Sequence, residues 1–126
     1  MATNNKKVLL IEDDPLMLNL YKNTFELEGV TLLLADDGMK GIELAEKEQP
    51  KVILLDLLMP KMSGYEVLKK LKENSKTKEI PVVILSNLLD TQENLEKAKK
   101  LGAAEYWVKS SYTSEDIVEK VKKYLK

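Results

Sequence analysis

The stretch KVILLDLLMPKMSG, Lys51–Gly64, decides the fold of this chain. Within it, four apolar residues, Val52–Leu55, lead directly into a carboxylate, Asp56, and prolines stand on both sides at Pro50 and Pro60. A continuous apolar run of this length predicts a strand that is buried on both faces. Asp56 is then expected at the carboxyl edge of a parallel sheet, which is where open α/β sheets bind their ligands.

The composition limits the classes of function that the chain can have. With 126 residues and 44% hydrophobic content, it predicts a single domain, residues 1–126, with its core in about residues 6–125. The net charge is −1 and all 20 basic residues are lysine, so direct binding to nucleic acid or to a membrane is not expected. Cysteine and histidine are absent, which excludes zinc–thiolate sites, a cysteine nucleophile and histidine-based acid–base catalysis. With no signal peptide and no membrane-spanning run, a cytoplasmic protein is expected.

Strand and helix patterns alternate along the chain. The predicted strands are Lys7–Glu12, Val30–Ala35, Val52–Leu55, Pro81–Ser86 and Glu105–Val108. A segment with helical periodicity follows each of them, and Gly29, Pro50 and Gly102 end the first, second and fourth helices. Five such units predict an α/β fold, a doubly wound parallel sheet with helices on both faces and right-handed crossovers.

Capping residues and apolar stripes predict where the helices begin and which of their faces point inward. The predicted N-terminal caps are Asp14, Ser63, Asp90 and Thr113. The side chains expected on the inward faces, in chain order, are Leu16, Met17, Leu20 and Tyr21, then Met39, Ile42 and Ala45, then Val67, Leu68 and Leu71, then Leu95, Ala98 and Leu101, and finally Ile117, Val118, Val121, Tyr124 and Leu125.

Five polar residues follow the predicted strands at one edge of the sheet: Glu12, Asp13, Asp56, Ser86 and Lys109. Three crowded carboxylates repel one another, and a divalent cation among them makes the arrangement favourable. All-oxygen ligands suit Mg²⁺ or Mn²⁺. A cation beside a lysine and a hydroxyl can neutralise and bind a phosphoryl group. The Asp56 carboxylate is then the nucleophile, and it forms an acyl phosphate.

Each of these residues also has a structural interpretation. An acid after a strand is commonly a helix cap, as we expect for Asp14. A single lysine at a strand end is usually solvated, and a serine such as Ser86 is by itself usually a turn residue. Their joint occurrence on consecutive strand ends favours the functional interpretation.

At these residues the sequence resembles the receiver domain of bacterial response regulators, the CheY-like family. The resemblance covers the chain from Lys7 to its end. It is carried by the pair Glu12-Asp13, by Asp56 with Met59-Pro60 and Gly64, by Ser86 and by Lys109. It implies a flavodoxin-like (βα)5 fold with strand order 2-1-3-4-5 and a place in a two-component or phosphorelay signalling system.

The resemblance also implies how the site works. Asp56 would accept a phosphoryl group from a histidine kinase or a phosphotransfer protein. The implied Mg²⁺ ligands are Asp13, Asp56, the backbone carbonyl of Leu58 and, through water, Glu12. The phosphoryl oxygens would be held by Ser86 and Lys109.

The implied output is a change of surface, so the chain would be a switch that assists its own phosphorylation and dephosphorylation and not an enzyme. Tyr106 matches the family's switch aromatic, which turns inward when Ser86 moves toward the phosphoryl group. The surface of the fourth helix, fifth strand and fifth helix would then be read by a separate effector protein, since no fused effector domain is expected. The protein would be a monomer or a phosphorylation-dependent dimer.

Two residues near the site depart from the family pattern. Ser110 follows Lys109 where the family usually has a cis proline, and a non-proline cis bond costs about 2.5–4 kcal/mol, against roughly 0.5–1 kcal/mol for proline. We favour a cis Lys109–Ser110 bond, because Lys109 must still reach the site. Asn87 follows Ser86 where the family prefers a small residue. Its polar side chain is expected either to narrow access to Asp56 or to hydrogen-bond the phosphoryl group.

Other functions fit the sequence less well. A flavodoxin needs a Ser/Thr/Gly-rich phosphate loop after the first strand, where this chain has the acidic EDDPLM. The dinucleotide motif G-x-G-x-x-G is absent, and a haloacid-dehalogenase-type phosphatase needs an acid where Leu58 stands. A DNA-binding regulator would need an appended domain, which is not expected after the last helix. A receiver-like interaction module that never takes phosphate stays open as the alternative.

Leu58 and Leu88 lie two residues beyond Asp56 and Ser86, at positions that flank the path of the hydrolytic water in this family. Neither leucine can orient a water by hydrogen bonding, so we predict a long-lived acyl phosphate. Replacing Leu58 with Asn and Leu88 with Glu should speed dephosphorylation, measured as loss of the phosphorylated mass with time. An unchanged decay rate would contradict this prediction.

Overall fold

The structure is a computed structural model that describes residues 6–59, 61–86 and 92–126. The expectations for Pro60, Asn87, Leu88 and Asp90 therefore lie outside the described residues. Among the residues described, no helix is both long enough and apolar enough to cross a membrane.

A five-stranded parallel sheet forms the centre of the molecule. Its strands are Lys7–Ile11 (β1), Thr31–Ala35 (β2), Val52–Leu55 (β3), Val82–Ser86 (β4) and Glu105–Val108 (β5). They pair in the order β2-β1-β3-β4-β5. This is the flavodoxin-like topology, which confirms the predicted fold class and strand order.

A helix follows each strand. The helices are Pro15–Leu27 (α1), Gly38–Glu48 (α2), Gly64–Glu73 (α3), Gln92–Lys100 (α4) and Ser114–Val121 (α5). Short 3₁₀ turns cover Lys109–Ser111 and Lys122–Tyr124. The last helix is therefore shorter than expected. Its α-helical part ends at Val121, and Tyr124, which was predicted to lie in the helix, belongs to the second 3₁₀ turn.

Two hydrophobic clusters lie on opposite faces of the sheet because successive strand residues alternate in direction. One cluster joins residues such as Leu9, Ile53 and Ile84 to α2, α3 and α4. The other joins Leu10 and Leu54, among others, to α1 and α5. All four residues of β3 are buried, as the opening stretch of sequence predicts. Each such side chain contributes roughly 1.5–3 kcal/mol by leaving water.

The predicted helix starts are confirmed wherever the structure describes them. The Asp14 carboxylate accepts a hydrogen bond from the Leu16 N–H at 3.0 Å, and the Ser63 hydroxyl accepts one from the helix that it starts. Thr113 and Asp116 form a reciprocal capping box. Satisfying these N–H groups typically stabilises a helix by about 1 kcal/mol at each cap.

The prediction of inward faces was wrong for three exposed side chains. Leu16 and Leu20 on α1 are 79% and 47% exposed, and Met39 on α2 is 54% exposed. Tyr21 and Phe25 are the α1 side chains buried in the core cluster, and Met17 packs against that cluster as predicted. The leucines and the buried aromatic residues form adjacent stripes of one helix, and periodicity alone does not say which stripe meets the sheet.

Glu105 ties β5 to the end of the chain. Its carboxylate accepts hydrogen bonds from Trp107 Nε1 at 3.0 Å and from the Tyr124 hydroxyl, and it pairs with Lys123 at 2.7 Å. Burial raises the pKa of Glu105, but hydrogen bonds from Lys123, Tyr124 and Trp107 outweigh burial and lower the pKa to about 2.

We expect Glu105→Gln to destabilise the protein in a pH-dependent way. A carboxyl whose pKa is lower in the folded state adds stability above its unfolded pKa, and that stability is lost as the pH falls through the folded pKa. The wild type should therefore exceed E105Q in urea midpoint at pH 7, and the difference should shrink between about pH 4.5 and pH 2. Glu48→Gln, which removes the half-buried ion-pair partner of Lys7, is the control with a smaller difference. If the difference in urea midpoint between wild type and E105Q did not change with pH, the lowered pKa of Glu105 would be refuted.

Candidate functional site

The sheet itself positions two acids of the site. Glu12 and Asp56 stand one residue beyond β1 and β3, and the parallel pairing continues through them. The Glu12 N–H donates to the Ala35 carbonyl at 3.0 Å, and the Asp56 N–H donates to the Ile11 carbonyl at 3.0 Å. These backbone bonds fix both residues at the carboxyl edge, so the site is built on rigid elements.

The three predicted carboxylates come together. Glu12, Asp13 and Asp56 each place a carboxylate oxygen within 4.8 Å of the other two. Glu12 and Asp56 are buried, at 2% and 6% exposure, whereas Asp13 is half-buried. Three hard oxygen ligands at this spacing fit a small divalent cation such as Mg²⁺ or Mn²⁺.

Lys109 supplies a buried cation next to these acids. Its Nζ forms an ion pair with Glu12 and lies 3.9 Å from Asp56 Oδ2. The structure contains no cis peptide bond among the described residues, so the expectation of a cis Lys109–Ser110 bond was wrong. The trans bond avoids a cost of about 2.5–4 kcal/mol, and Lys109 reaches the carboxylates from the 3₁₀ turn that follows β5.

The loop after β3 holds the Asp56 carboxylate in one orientation. The Leu58 N–H donates to Asp56 Oδ1 at 3.3 Å, while the Leu58 side chain is exposed. A Cβ placed on Gly64 would lie only 2.3 Å from the Asp56 carbonyl oxygen. Glycine at the start of α3 therefore lets the helix approach the backbone beneath the carboxylate, which explains the Gly64 of the sequence motif.

Burial and charge act together on the titrating groups here. Burial raises the pKa of Glu12, and the hydrogen bond from Lys109 opposes this while the charge of Asp56 adds to it. Burial, followed by the charges of Glu12 and Asp56, raises the pKa of Tyr21 to about 12. Sequence reasoning missed this electrostatic link between Tyr21 and the site, because the position of Tyr21 on α1 indicated only a core residue.

Ser86 and Tyr106 lie on the neighbouring strands β4 and β5, Ser86 at the carboxyl edge and Tyr106 two positions back from it. Ser86 is the last residue of β4, is fully buried and pairs in register with Val108, immediately before Lys109. Tyr106 pairs with Ile84 two residues earlier, and its half-buried ring packs against the cluster on the α4 side of the sheet. The three carboxylates and Lys109 thus meet at the edge where β4 ends in Ser86, while Asn87 and Leu88 lie outside the described residues.

Comparison with known proteins identifies the family. Residues 8–122 match the response regulator receiver domain. The chain belongs to the response regulator receiver family. Two curated relatives are the DNA-binding dual master transcriptional regulator RpaA of Synechocystis, 33% identical over 95% of this chain, and the polar-differentiation response regulator DivK of Brucella anthropi, 28% identical over 95%. The receiver chain spans 49% of RpaA and 96% of DivK.

Solved structures agree with the receiver fold. The chemotaxis protein CheY4 of Vibrio cholerae superposes with a TM-score of 0.85 at 26% identity, covering 94% of this chain and 97% of that one. The response regulator Rcp1, solved in a Mn²⁺-bound form, has a TM-score of 0.78 at 26% identity, covering 93% of this chain and 91% of that one. Receiver domains are signalling switches of two-component systems, and this chain has their fold and their acidic cluster.

Removing the buried cation of this receiver domain should be costly. We expect Lys109→Met to lower the free energy of unfolding by roughly 3–5 kcal/mol, because Glu12 is left as a buried charge without its partner. Lys7→Met is the control, since the ion pair of Lys7 with Glu48 is partly exposed, and exposed pairs contribute about 0–1 kcal/mol. Urea unfolding measures both variants. Equal losses of unfolding free energy in the two variants would show that the Lys109–Glu12 pair stabilises the fold no more than a surface ion pair does.

Proposed function

We propose that this receiver domain accepts a phosphoryl group on Asp56 and thereby changes a surface that a separate protein recognises. One observation carries the proposal: the buried, oriented Asp56 carboxylate shares its site with Glu12, Asp13 and the Lys109 ammonium. This combination holds more negative charge than one lysine balances, so it favours a bound cation.

The donor set is consistent with Mg²⁺, and with Mn²⁺ as in the related Rcp1 structure. Asp13, Asp56 and the Leu58 backbone carbonyl would hold the ion, and Glu12 would act through water. When bound, the cation neutralises phosphoryl oxygens during transfer. The chain itself contributes the fixed carboxylate position, because β3 and the Leu58 N–H hold Asp56 in place.

In the transfer step an Asp56 carboxylate oxygen attacks the phosphorus of the donor. The new bond is the phosphorus–oxygen bond of an acyl phosphate, and the broken bond joins phosphorus to the leaving group, which departs with the bonding electrons. Lys109, already 3.9 Å from Asp56 Oδ2, would exchange part of its pairing with Glu12 for a phosphoryl oxygen. The Ser86 hydroxyl would donate to a second oxygen. A histidine kinase or phosphotransfer protein is the proposed donor.

The proposed output surface comprises α4, β5 and α5. A groove of about 760 Å³ lies between α4 and β5. Its apolar lining includes Leu95, Ala98 and Tyr106, and its charged lining includes Lys99 and Glu105. Movement of Ser86 toward the phosphoryl group would free space for the Tyr106 ring, and this would change the groove. The phosphoryl group must interact better with one arrangement than the other for such a switch to operate.

The test is an intact-mass measurement after incubation with Mg²⁺ and acetyl phosphate. We expect the wild type to gain one phosphoryl group, Asp56→Asn to gain none, and removal of Mg²⁺ with EDTA to abolish the gain. Asp13→Asn should raise the Mg²⁺ concentration for half-maximal rate by at least about tenfold, on the scale typical of metal-site substitutions. Asp36→Asn removes a nearby exposed carboxylate outside the cluster and should leave that concentration unchanged.

No phosphorylation from acetyl phosphate or from a phosphorylated histidine donor would favour the interaction-module alternative. Modification that persists in Asp56→Asn would place the phosphoryl group elsewhere.

A further inference from the structure

In the turn that carries Lys109, only the lysine is buried. Ser110 and Ser111 are exposed, and no proline restrains them. The 3₁₀ turn closes with a long hydrogen bond from the Tyr112 N–H to the Lys109 carbonyl, at 3.4 Å. A turn without proline has more conformations to lose when it is ordered. The ammonium of Lys109 is held by its ion pair with Glu12, and contacts to the residues that flank the turn can restrict the turn further.

Aromatic residues flank the turn on both sides, and both contact one lysine of α5. Trp107 lies two residues before Lys109 on β5 and is almost fully buried, and Tyr112 is the first residue after the turn. The Lys120 Nζ lies 4.9 Å from the Trp107 ring centroid and 4.7 Å from that of Tyr112. Both distances are within the range of a cation–π interaction.

We propose that Lys120 is a positioning residue for Lys109. Its ammonium joins Tyr112, directly after the turn, to Trp107, which is buried in the core. The turn is thereby held at both ends, and Lys109 is directed toward Glu12 and Asp56. This inference rests on the proposed phosphorylation of Asp56, because it assigns Lys120 a part in that reaction.

The arrangement of α5 supports this role. The capping box at Thr113 fixes the start of α5 directly after Tyr112, and Ile117, Val118 and Val121 anchor the helix in the core. Lys120 therefore extends from a helix that is packed into the core, and its side chain is half-buried beside the two rings. Weak contacts on a rigid support can fix a loop that its own hydrogen bonds do not.

The same contact would also let a movement of Lys109 affect α5. If Lys109 moves toward a phosphoryl oxygen, the turn shifts, and Tyr112 transmits that shift to Lys120. The surface of α5 would then respond through a route separate from Tyr106, since Tyr106 and Trp107 point to opposite faces of the sheet.

The experiment compares Lys120→Met, which keeps the apolar stem, with Lys120→Arg, which keeps the charge over the rings. Lys122→Met is the matched control, because it removes a charge two residues away that pairs only with Glu28 and Glu119 among the contacts described. The rate of Asp56 phosphorylation by acetyl phosphate in Mg²⁺ is followed by intact mass, and urea unfolding checks that each variant is folded.

We expect Lys120→Met to slow phosphorylation about three- to tenfold at saturating Mg²⁺, which is the scale of losing weak cation–π contacts in a reaction barrier. The Mg²⁺ concentration for half-maximal rate should not change, because the carboxylates stay in place. Lys120→Arg and Lys122→Met should keep the wild-type rate within about twofold. Trp107, the only tryptophan of the chain, should change its emission in Lys120→Met and not in Lys122→Met.

A second pair of variants tests the route through Tyr112. Tyr112→Leu should slow the reaction as Lys120→Met does, Tyr112→Phe should not, and the double variant Lys120→Met/Tyr112→Leu should be no slower than the slower single variant. Equal rates for wild type and Lys120→Met, equal slowing by Lys122→Met, or additive losses in the double variant would each overturn the positioning role. A wild type that is never phosphorylated would instead overturn the proposed function on which the role rests.

Discussion

The ion pair between Lys109 and Glu12 is the interaction on which the edge of this sheet depends. Three carboxylates gathered within 4.8 Å repel one another, and burial makes that repulsion stronger. A single lysine ammonium next to Glu12 offsets part of it. The balance stays negative, which favours a divalent cation at this edge. Stability and the proposed chemistry therefore have one electrostatic cause.

The strand that leads to Lys109 also contacts the hydrophobic clusters on both faces of the sheet. In β5, Tyr106 packs on the α4 side and Trp107 on the α5 side, and Lys109 follows both. A displacement of Lys109 can therefore affect side-chain packing on both faces of the sheet, through Tyr106 on one face and Trp107 on the other. Glu105 and Tyr124 hold the start of β5 to the end of the chain, so the strand is anchored at the end remote from the site.

Where sequence reasoning failed, tertiary context was the cause. Leu16 and Leu20 have the spacing of a buried stripe, but the sheet meets the stripe of Tyr21 and Phe25. The Lys109–Ser110 bond was expected to be cis because Lys109 must reach the site. The structure shows a trans bond, since a long flexible side chain on a 3₁₀ turn covers the same distance without a cis peptide.

The sequence by itself determined the five βα units, the strand order through family resemblance, and the edge at which Glu12, Asp13, Asp56, Ser86 and Lys109 meet. It could do so because buried strands, caps and strand-end polar residues are local patterns in the chain. Only the tertiary structure decided which carboxylate pairs with Lys109, that the charges of Glu12 and Asp56 raise the pKa of Tyr21, and that Lys120 reaches Trp107 and Tyr112. These are contacts between distant segments, and they depend on the packing of side chains, which no local pattern encodes.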